Sequence, residues 1–201
     1  VGWVVAVPGT QSGTIGGANP FDPLSHLELA AQVEADATAL VLRAMQGAGV
    51  GTGEPVLIAG HSLGGMVAMD VAALGEYEVV AVVTAGSPVA GVALPPGTAA
   101  LHLEHLQDPV PGLSGAANPD TVARTTVLRD LAVETSDAVA GPPAGVGSAI
   151  SSAHSLDTYR RTAELLPADE PSVQGFRLAL DRVLGQAVGA TTTTYSGRRV
   201  P

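Results

Sequence analysis

Ser62 is the residue whose surroundings point most directly to chemistry. It lies at the centre of the segment GHSLGG, residues 60–65, which contains the pattern Gly-x-Ser-x-Gly. The pattern follows an apolar predicted strand, residues 55–59, and opens a predicted helix, residues 63–74. Such a strand-to-helix turn pushes a serine hydroxyl out of a sheet, beside N–H groups that favour negative charge. The context predicts a nucleophilic serine; the alternative is a glycine-rich turn with a solvent-facing serine.

Three glycines around Ser62 are suited to a turn of this kind. Gly60 and Gly64 lie two residues to either side of the serine, where a side chain would collide with the turn. Gly65 lets the following helix approach the strand closely. The glycine spacing therefore supports the prediction of a nucleophile turn rather than an ordinary loop.

His154 is the histidine best placed to activate this serine. A serine hydroxyl is a weak nucleophile until a base removes its proton. His154 follows the last predicted strand, at the edge where open α/β sheets place their sites. His61 lies within the turn, and its side chain is expected to point away from Ser62. His102 and His105 lie in the predicted strand of residues 99–106, and His26 opens the first helix. We therefore predict His154 as the base; the alternative is a surface histidine near a helix start.

Asp108 is the predicted acid that orients this histidine. It comes directly after the strand of residues 99–106 and is braced by Pro109 and Pro111. Glu104 is the second candidate, although it lies within the strand. The alternative for Asp108 is a turn residue, which is also the interpretation of three further aspartates: Asp120, Asp130 and Asp157.

Two backbone N–H groups are predicted to bind an oxyanion. One belongs to Leu63, directly after the proposed nucleophile. The other comes from the loop after the first strand, residues 8–11, where Gly9 frees the backbone to turn the N–H of Thr10 inward. Gln11 is the second choice, and an ordinary strand-to-loop turn is the alternative.

The elements that position these residues form an alternating α/β pattern. Continuous apolar runs without alternation predict strands buried on both faces, and therefore a parallel sheet. Right-handed crossovers place the first two helices on one face and leave the last two to cover the other. The prediction is a three-layer α/β/α sandwich of about five mainly parallel strands: strands 1–7, 55–59, 78–85, 99–106 and 122–128, with helices 24–47, 63–74, 156–166 and 173–188.

Composition limits the partners. The formal net charge is −10, and all nine basic side chains are arginines, so an acidic surface would repel nucleic acid. The chain has no cysteine, which excludes disulfides, thiolate metal sites and a cysteine nucleophile. No apolar run is long enough to span a bilayer. We expect neither a metal nor a cofactor.

The 201 residues are sufficient for one domain. We predict a catalytic domain over residues 1–190 and a threonine-rich tail, frayed or a linker, over residues 191–201. Residues 138–153 are rich in glycine, proline and serine, and are interpreted as a loop that either lines an acyl pocket, acts as a flap, or simply connects. The chain opens within a strand at Val1, which indicates a trimmed N-terminus.

Several landmarks resemble the lipase and esterase branch of the α/β-hydrolases: GHSLGG at 60–65, TAGSP at 84–88, DPVP at 108–111 and the late His154. The chain order Ser62, Asp108, His154 is the order that these enzymes use. The same landmarks resemble the class 3 lipases, in which a Gly-Ser or Gly-Thr after an early strand supplies an oxyanion donor. That resemblance implies the same role for Thr10.

The segments PGTQ, NPFD and EHLQDPVP resemble a group of actinobacterial α/β-hydrolases whose catalytic domain follows a separate N-terminal region. This implies a missing upstream region and favours a secreted or cell-surface protein over a cytoplasmic one. Three features depart from related enzymes: only one helical segment lies between the first strand and the Ser62 turn, unlike in larger hydrolases, no long helical lid is visible, and the cysteines of cutinases are absent.

These residues predict a carboxylic-ester hydrolase that acts through an acyl-enzyme on Ser62, with a small-molecule or lipid-like ester as substrate. Thioester hydrolysis or acyl transfer by the same residues is the first alternative, since the acyl-enzyme is common to all three reactions. A binding module that keeps the hydrolase fold without turnover is the second. The oligomeric state is left open.

Overall fold

Five parallel strands form one sheet in the computed structural model, which describes residues 1–132, 146–167, 169–185 and 187–200. Each strand pairs with the next along the chain, so all five carboxyl ends lie at one edge of the sheet. The predicted parallel sheet is confirmed. Its strands are β1 (Trp3–Val7), β2 (Val56–His61), β3 (Val79–Ala85), β4 (Ala99–His105) and β5 (Arg124–Arg129).

Six helices cover the sheet in the described ranges: α1 (Pro23–Ala30), α2 (Asp36–Ala48), α3 (Leu63–Leu74), α4 (Val146–Ala153), α5 (Leu156–Glu164) and α6 (Gln174–Leu184). The first three pack on one face, where Met45, Val67 and Ile58 share an apolar cluster. On the other face, Tyr159 of α5 and Phe176 of α6 pack against the sheet. The predicted three-layer sandwich is confirmed, and burial on both faces explains the continuous apolar runs of the strands.

The prediction of one helix over residues 24–47 was wrong, because the chain turns between α1 and α2. Gln32 has a left-handed backbone with φ of 55°, which interrupts the helix. The N–H of Val33 then donates to the Glu28 carbonyl at 3.0 Å and closes the turn. No strand lies in the fully described stretch between β1 and β2, so the sheet has no additional strand there, as the sequence indicates.

The prediction of a loop over residues 138–153 was also wrong in its second half. The structure places α4 there, packed against α5, although glycine and serine have weak helix propensity. Tertiary contacts at its end compensate, since Ala153 is buried. Residues 138–145 lie outside the described residues, and so does that part of the proposed flap.

The tail is held in place at Arg199, contrary to the interpretation of a frayed end. The backbone N–H of Arg199 donates to the Ala18 carbonyl at 2.8 Å. Its guanidinium donates to the buried Asp22 carboxylate, at 2.7 Å, and also to Asp36. The tail therefore contacts the start of α1. Among the helices, none of those described is long and apolar enough to cross a membrane.

Candidate active site

Ser62 occupies a strained turn between β2 and α3. Its φ of 56° and ψ of −124° lie in a region that a non-glycine residue seldom adopts. The turn is held from the neighbouring strand, because the Ser62 N–H donates to the Ala85 carbonyl at 2.9 Å. The Ser62 carbonyl accepts from the Gly65 N–H at 3.0 Å, which begins the helix. This geometry is that of the predicted nucleophile turn.

The glycines at this turn are required by close contacts. A Cβ on Gly60 would lie 2.1 Å from the Gly64 carbonyl oxygen, and one on Gly64 would lie 2.3 Å from the Val7 carbonyl oxygen. A Cβ on Gly65 would lie 2.0 Å from Ser87 Oγ, so this glycine brings α3 close to the end of β3. Any larger residue at these positions would have to displace backbone or buried side-chain atoms.

The structure brings Ser62, His154 and Asp108 together, although 92 and 46 residues of chain separate the two hydrogen-bonded pairs. The distance from Ser62 Oγ to His154 Nε2 is 3.0 Å. The distance from His154 Nδ1 to Asp108 Oδ2 is 2.7 Å. Ser62 follows β2, Asp108 follows β4 and His154 follows α4, so all three lie at the carboxyl edge of the sheet.

Asp108 is held as a carboxylate by its hydrogen bonds. Burial works against its ionisation, but donors from His154, Tyr159 and the Val110 N–H outweigh that effect and lower the pKa of the Asp108 carboxyl. An ionised Asp108 accepts a hydrogen bond from the Nδ1–H of His154, and in the neutral imidazole this leaves the lone pair on Nε2. That lone pair faces the hydroxyl of Ser62.

Tyr159 is a member of this cluster that the sequence reasoning missed. Its ring is 1% exposed, and its hydroxyl donates to Asp108 Oδ2 at 2.6 Å. Burial and the neighbouring carboxylate raise the pKa of Tyr159, so the hydroxyl stays protonated and remains a donor. Tyr159 lies in the predicted helix five residues after His154, but nothing in its local pattern distinguishes it from a core aromatic residue.

Gly86 is a second contributor that the sequence did not reveal. Its φ of 60° is left-handed, and it follows β3 directly. A Cβ at this position would lie 2.8 Å from the Tyr159 ring, 2.9 Å from Asp108 Oδ2 and 3.1 Å from His154 Nδ1. Because Gly86 has no side chain, Asp108 and His154 have enough space to form their hydrogen bond.

Residues 8–11 lie beside Ser62 and line the same cavity. No hydrogen-bond acceptor in the described part of the chain takes the Thr10 N–H. Leu63 is the first residue of α3, so its N–H has no carbonyl within that helix. The second choice, Gln11, needs correction because its N–H already donates to the Phe21 carbonyl at 2.8 Å.

Among the described residues, no carboxylate other than that of Asp108 pairs with His154. Glu104 accepts instead from Asn118 Nδ2 at 2.6 Å, and burial raises the pKa of the Glu104 carboxyl. Asp130 accepts from Gln107 at 2.7 Å in a turn. Asp157 is exposed in the first turn of α5, with Arg160 as its charged neighbour. Among the described residues, no group of three or more metal-ligating side chains is arranged to hold a metal ion.

A cavity of about 460 Å³ opens over the serine and is lined by Pro8, Gly9, Thr10, Gln11, His61, Ser62 and His154. A wider groove of about 940 Å³ runs along α3. His26 lines this groove, and its Nε2 lies 3.3 Å from Oγ1 of Thr10, which lines the cavity. The groove wall includes the exposed side chains of Leu27 and Leu113, so the groove is mainly apolar.

One comparison with known proteins covers nearly the whole chain. A family model described as the alpha/beta hydrolase family matches residues 2–196. The comparison with curated proteins finds no match. The likeness to class 3 lipases and to actinobacterial hydrolases stays a resemblance. The five-stranded parallel sheet agrees with the family match, and the chain therefore belongs to the alpha/beta hydrolase family, which indicates hydrolase activity.

Proposed function

We propose that the protein is a serine hydrolase that cleaves carboxylic esters through an acyl-enzyme on Ser62. One observation carries the proposal: Ser62 Oγ lies 3.0 Å from His154 Nε2 while His154 Nδ1 lies 2.7 Å from Asp108. A hydroxyl, an imidazole and a carboxylate in this chain of hydrogen bonds are the groups that nucleophilic acyl transfer requires. The strained backbone of Ser62 supports the same role.

In the acylation half-reaction, Ser62 Oγ attacks the ester carbonyl carbon while His154 Nε2 takes the hydroxyl proton. Asp108 holds the imidazole in place and stabilises the imidazolium that forms. When the tetrahedral intermediate collapses, the bond between the carbonyl carbon and the alcohol oxygen breaks. His154 gives its proton to the departing alcohol, and the acyl group remains bound to Ser62 Oγ.

Deacylation repeats these steps with water as the nucleophile. His154 takes a proton from the water as the water oxygen bonds to the acyl carbon. It returns this proton to Ser62 Oγ when the bond between the acyl carbon and Ser62 Oγ breaks. The products are the free acid and the regenerated serine. In both half-reactions the N–H groups of Leu63 and Thr10 are proposed to bind the oxyanion, since neither has an acceptor in the described structure.

The surroundings of Ser62 favour an uncharged, apolar ester. The groove along α3, which His26 links to Thr10 of the cavity, is mainly apolar, and the net charge of −10 disfavours anionic substrates. The cavity over Ser62 is lined by His61, His154 and residues 8–11, with no arginine among its described lining residues. A short-chain chromogenic ester is therefore a suitable first substrate.

The test compares wild type with Ser62→Ala on a p-nitrophenyl ester, with Ser172→Ala as the control because Ser172 lies in a 3-10 turn before α6. Loss of the nucleophile lowers kcat by roughly 10⁶-fold, whereas the control keeps the wild-type rate. Labelling by a fluorophosphonate should occur on Ser62 alone. Equal rates in wild type and Ser62→Ala, or no labelling of Ser62, would overturn the proposal. Activity on thioesters but not on oxygen esters would reassign the substrate class.

A further inference from the structure

His61 and His105 contact the backbone that carries His154. The Nε2–H of His61 donates to the carbonyl of His154 itself at 2.7 Å. The Nδ1–H of His105 donates to the preceding carbonyl, that of Ala153, also at 2.7 Å. Carbonyl oxygens only accept, so each contact assigns the proton to the named ring nitrogen. Two consecutive peptide groups at the base are therefore held from outside their own segment.

The two histidines come from different strands, next to the other members of the site. His61 ends β2 and is the residue before Ser62, while His105 ends β4 three residues before Asp108. The segment that carries the base is therefore tied to the strand of the nucleophile and to the strand of the acid. These two contacts join three parts of the chain that are far apart in sequence.

Both histidines are neutral donors. Burial lowers the pKa of His61 and the pKa of His105, even though their carbonyl partners favour the protonated forms. His105 is fixed further, because its ring stacks on Tyr159 at 3.9 Å between centroids and its Nε2 lies 2.7 Å from Thr162 Oγ1. The ring of His61 lies 4.8 Å from that of His154, so it contacts the base directly.

The base needs such support because most of the helix that leads to it is exposed to solvent. Among the α4 side chains that the structure describes, those of residues 147–152 are exposed and that of Ala153 is buried. The proton transfer from Ser62 depends on a 3.0 Å contact to His154. A displacement of about 1 Å at such a contact lowers a rate by as much as 10²-fold.

We propose that His61 and His105 are positioning residues that hold His154 within reach of Ser62 by fixing the carbonyls of residues 154 and 153. The inference rests on the proposed function, since it assigns His154 as the base. It predicts that each histidine acts through one particular ring nitrogen. Neither residue is proposed to exchange a proton with the substrate.

The test exploits the different reach of glutamine and asparagine. A glutamine side-chain nitrogen lies as many bonds from Cβ as histidine Nε2, and an asparagine nitrogen lies as many as histidine Nδ1. His61→Gln therefore keeps the donor that contacts the His154 carbonyl, whereas His61→Asn is the matched variant that loses it. At position 105 the pairing reverses, so His105→Asn keeps the donor and His105→Gln loses it.

We expect His61→Asn and His105→Gln each to lower kcat roughly tenfold on a p-nitrophenyl ester, with KM within about twofold of wild type. The rate of Ser62 labelling by a fluorophosphonate should fall in parallel. His61→Gln and His105→Asn should recover most of kcat. Thermal unfolding of all four variants separates a loss of stability from a loss of turnover. If the variants at the buried position 105 do not fold, the comparison of the two variants at the partly exposed His61 tests the proposal.

The inference is overturned if the two His61 variants have equal kcat, or if kcat follows Tm rather than the position of the donor. A failure of the proposed function gives a different result, because wild type itself would then neither hydrolyse the ester nor react with the fluorophosphonate. Ser62→Ala provides that reference in the same series.

Discussion

Two polar clusters lie within this sheet, and both contain a histidine from β4. The edge cluster consists of Ser62, Asp108 and His154 with their partners His61, His105 and Tyr159. The face cluster consists of Thr84, His102 and Arg124, with Thr126 beside them in β5. His105 and His102 are three residues apart, so they lie on opposite faces of the strand. His105 belongs to the candidate site, whereas His102 is buried in the protein core.

The two clusters differ in access to solvent and in hydrogen bonding. The side chain of His154 is 23% exposed at the edge, whereas His102 is 1% exposed between Thr84 and Arg124. Burial, and then the charge of Arg124, lower the pKa of His102 to about 3. The buried polar side-chain atoms without a partner in the described residues are Arg124 Nε, Thr126 Oγ1 and Asn118 Oδ1, and none of them belongs to the edge cluster.

The comparison shows that a buried, hydrogen-bonded histidine is not by itself a sign of catalysis. His102 stays neutral near pH 7 but has no route to a substrate. At the edge, the parallel strands end together, and side chains from several segments meet beside a cavity. Position at the carboxyl edge therefore separates the candidate site from a polar part of the core.

The largest expected effect within the edge cluster, after the loss of Ser62, is that of Asp108→Asn. Asparagine keeps the shape but favours the wrong tautomer of His154, so kcat should fall roughly 10⁴-fold. Steady-state hydrolysis of the chromogenic ester measures it. Asp130→Asn is the matched control, because Asp130 accepts hydrogen bonds only in a turn. A kcat of Asp108→Asn within tenfold of wild type would remove Asp108 from the mechanism.

Gly86→Ala should lower kcat by about 10²-fold, because its Cβ would press on Asp108, Tyr159 and His154. Gly97→Ala is the control, since its φ of 90° is also left-handed and a Cβ there meets nothing within 4 Å. Both variants lie in the connection between β3 and β4, so the comparison isolates the contact with the edge cluster. Equal rates in the two alanine variants would show that the room left by Gly86 does not matter.

Tyr159→Phe should lower kcat by about tenfold, because it removes one of the donors that keep Asp108 ionised. A carboxyl whose pKa is lowered by folding stabilises the protein above its ordinary pKa and loses that contribution as the pH falls. Removal of the Tyr159 donor should therefore make stability decline less steeply toward acid pH. Urea unfolding between about pH 3 and about pH 6, a range that spans the ordinary pKa of a carboxyl group, measures this. An unchanged kcat together with an unchanged slope would contradict the role of Tyr159.

The smallest effect on catalysis is expected for His102→Asn in the face cluster, with kcat within about twofold of wild type. Its effect should appear in stability. The pKa of His102 is about 3 in the folded protein and has an ordinary value of 6.5, so the unfolded chain binds a proton first as the pH falls. Stability therefore declines as the pH drops from 6.5 toward 3, and the variant should lose that part of the slope. Urea unfolding across this range tests it, and a large loss of kcat would overturn the contrast between the clusters.

Much of the fold follows from the sequence because it depends on neighbouring residues. The apolar runs around Ile58 and Val82 indicate strands buried on both faces, and the glycines around Ser62 indicate a tight turn. The prediction failed where tertiary contacts oppose local propensity. Gln32 interrupts a continuous helical pattern, and α4 forms from a glycine- and serine-rich segment.

The sequence by itself determined the identity of the strongest candidates, Ser62, Asp108 and His154, because each lies next to a predicted strand or helix and the three follow a characteristic order. Only the tertiary structure decided the partners of those residues. Tyr159 reaches Asp108 across 51 positions, and His61 reaches the His154 carbonyl across 93. Strand and turn patterns reside in short stretches of chain, whereas hydrogen bonds over such separations depend on how the helices pack on the sheet.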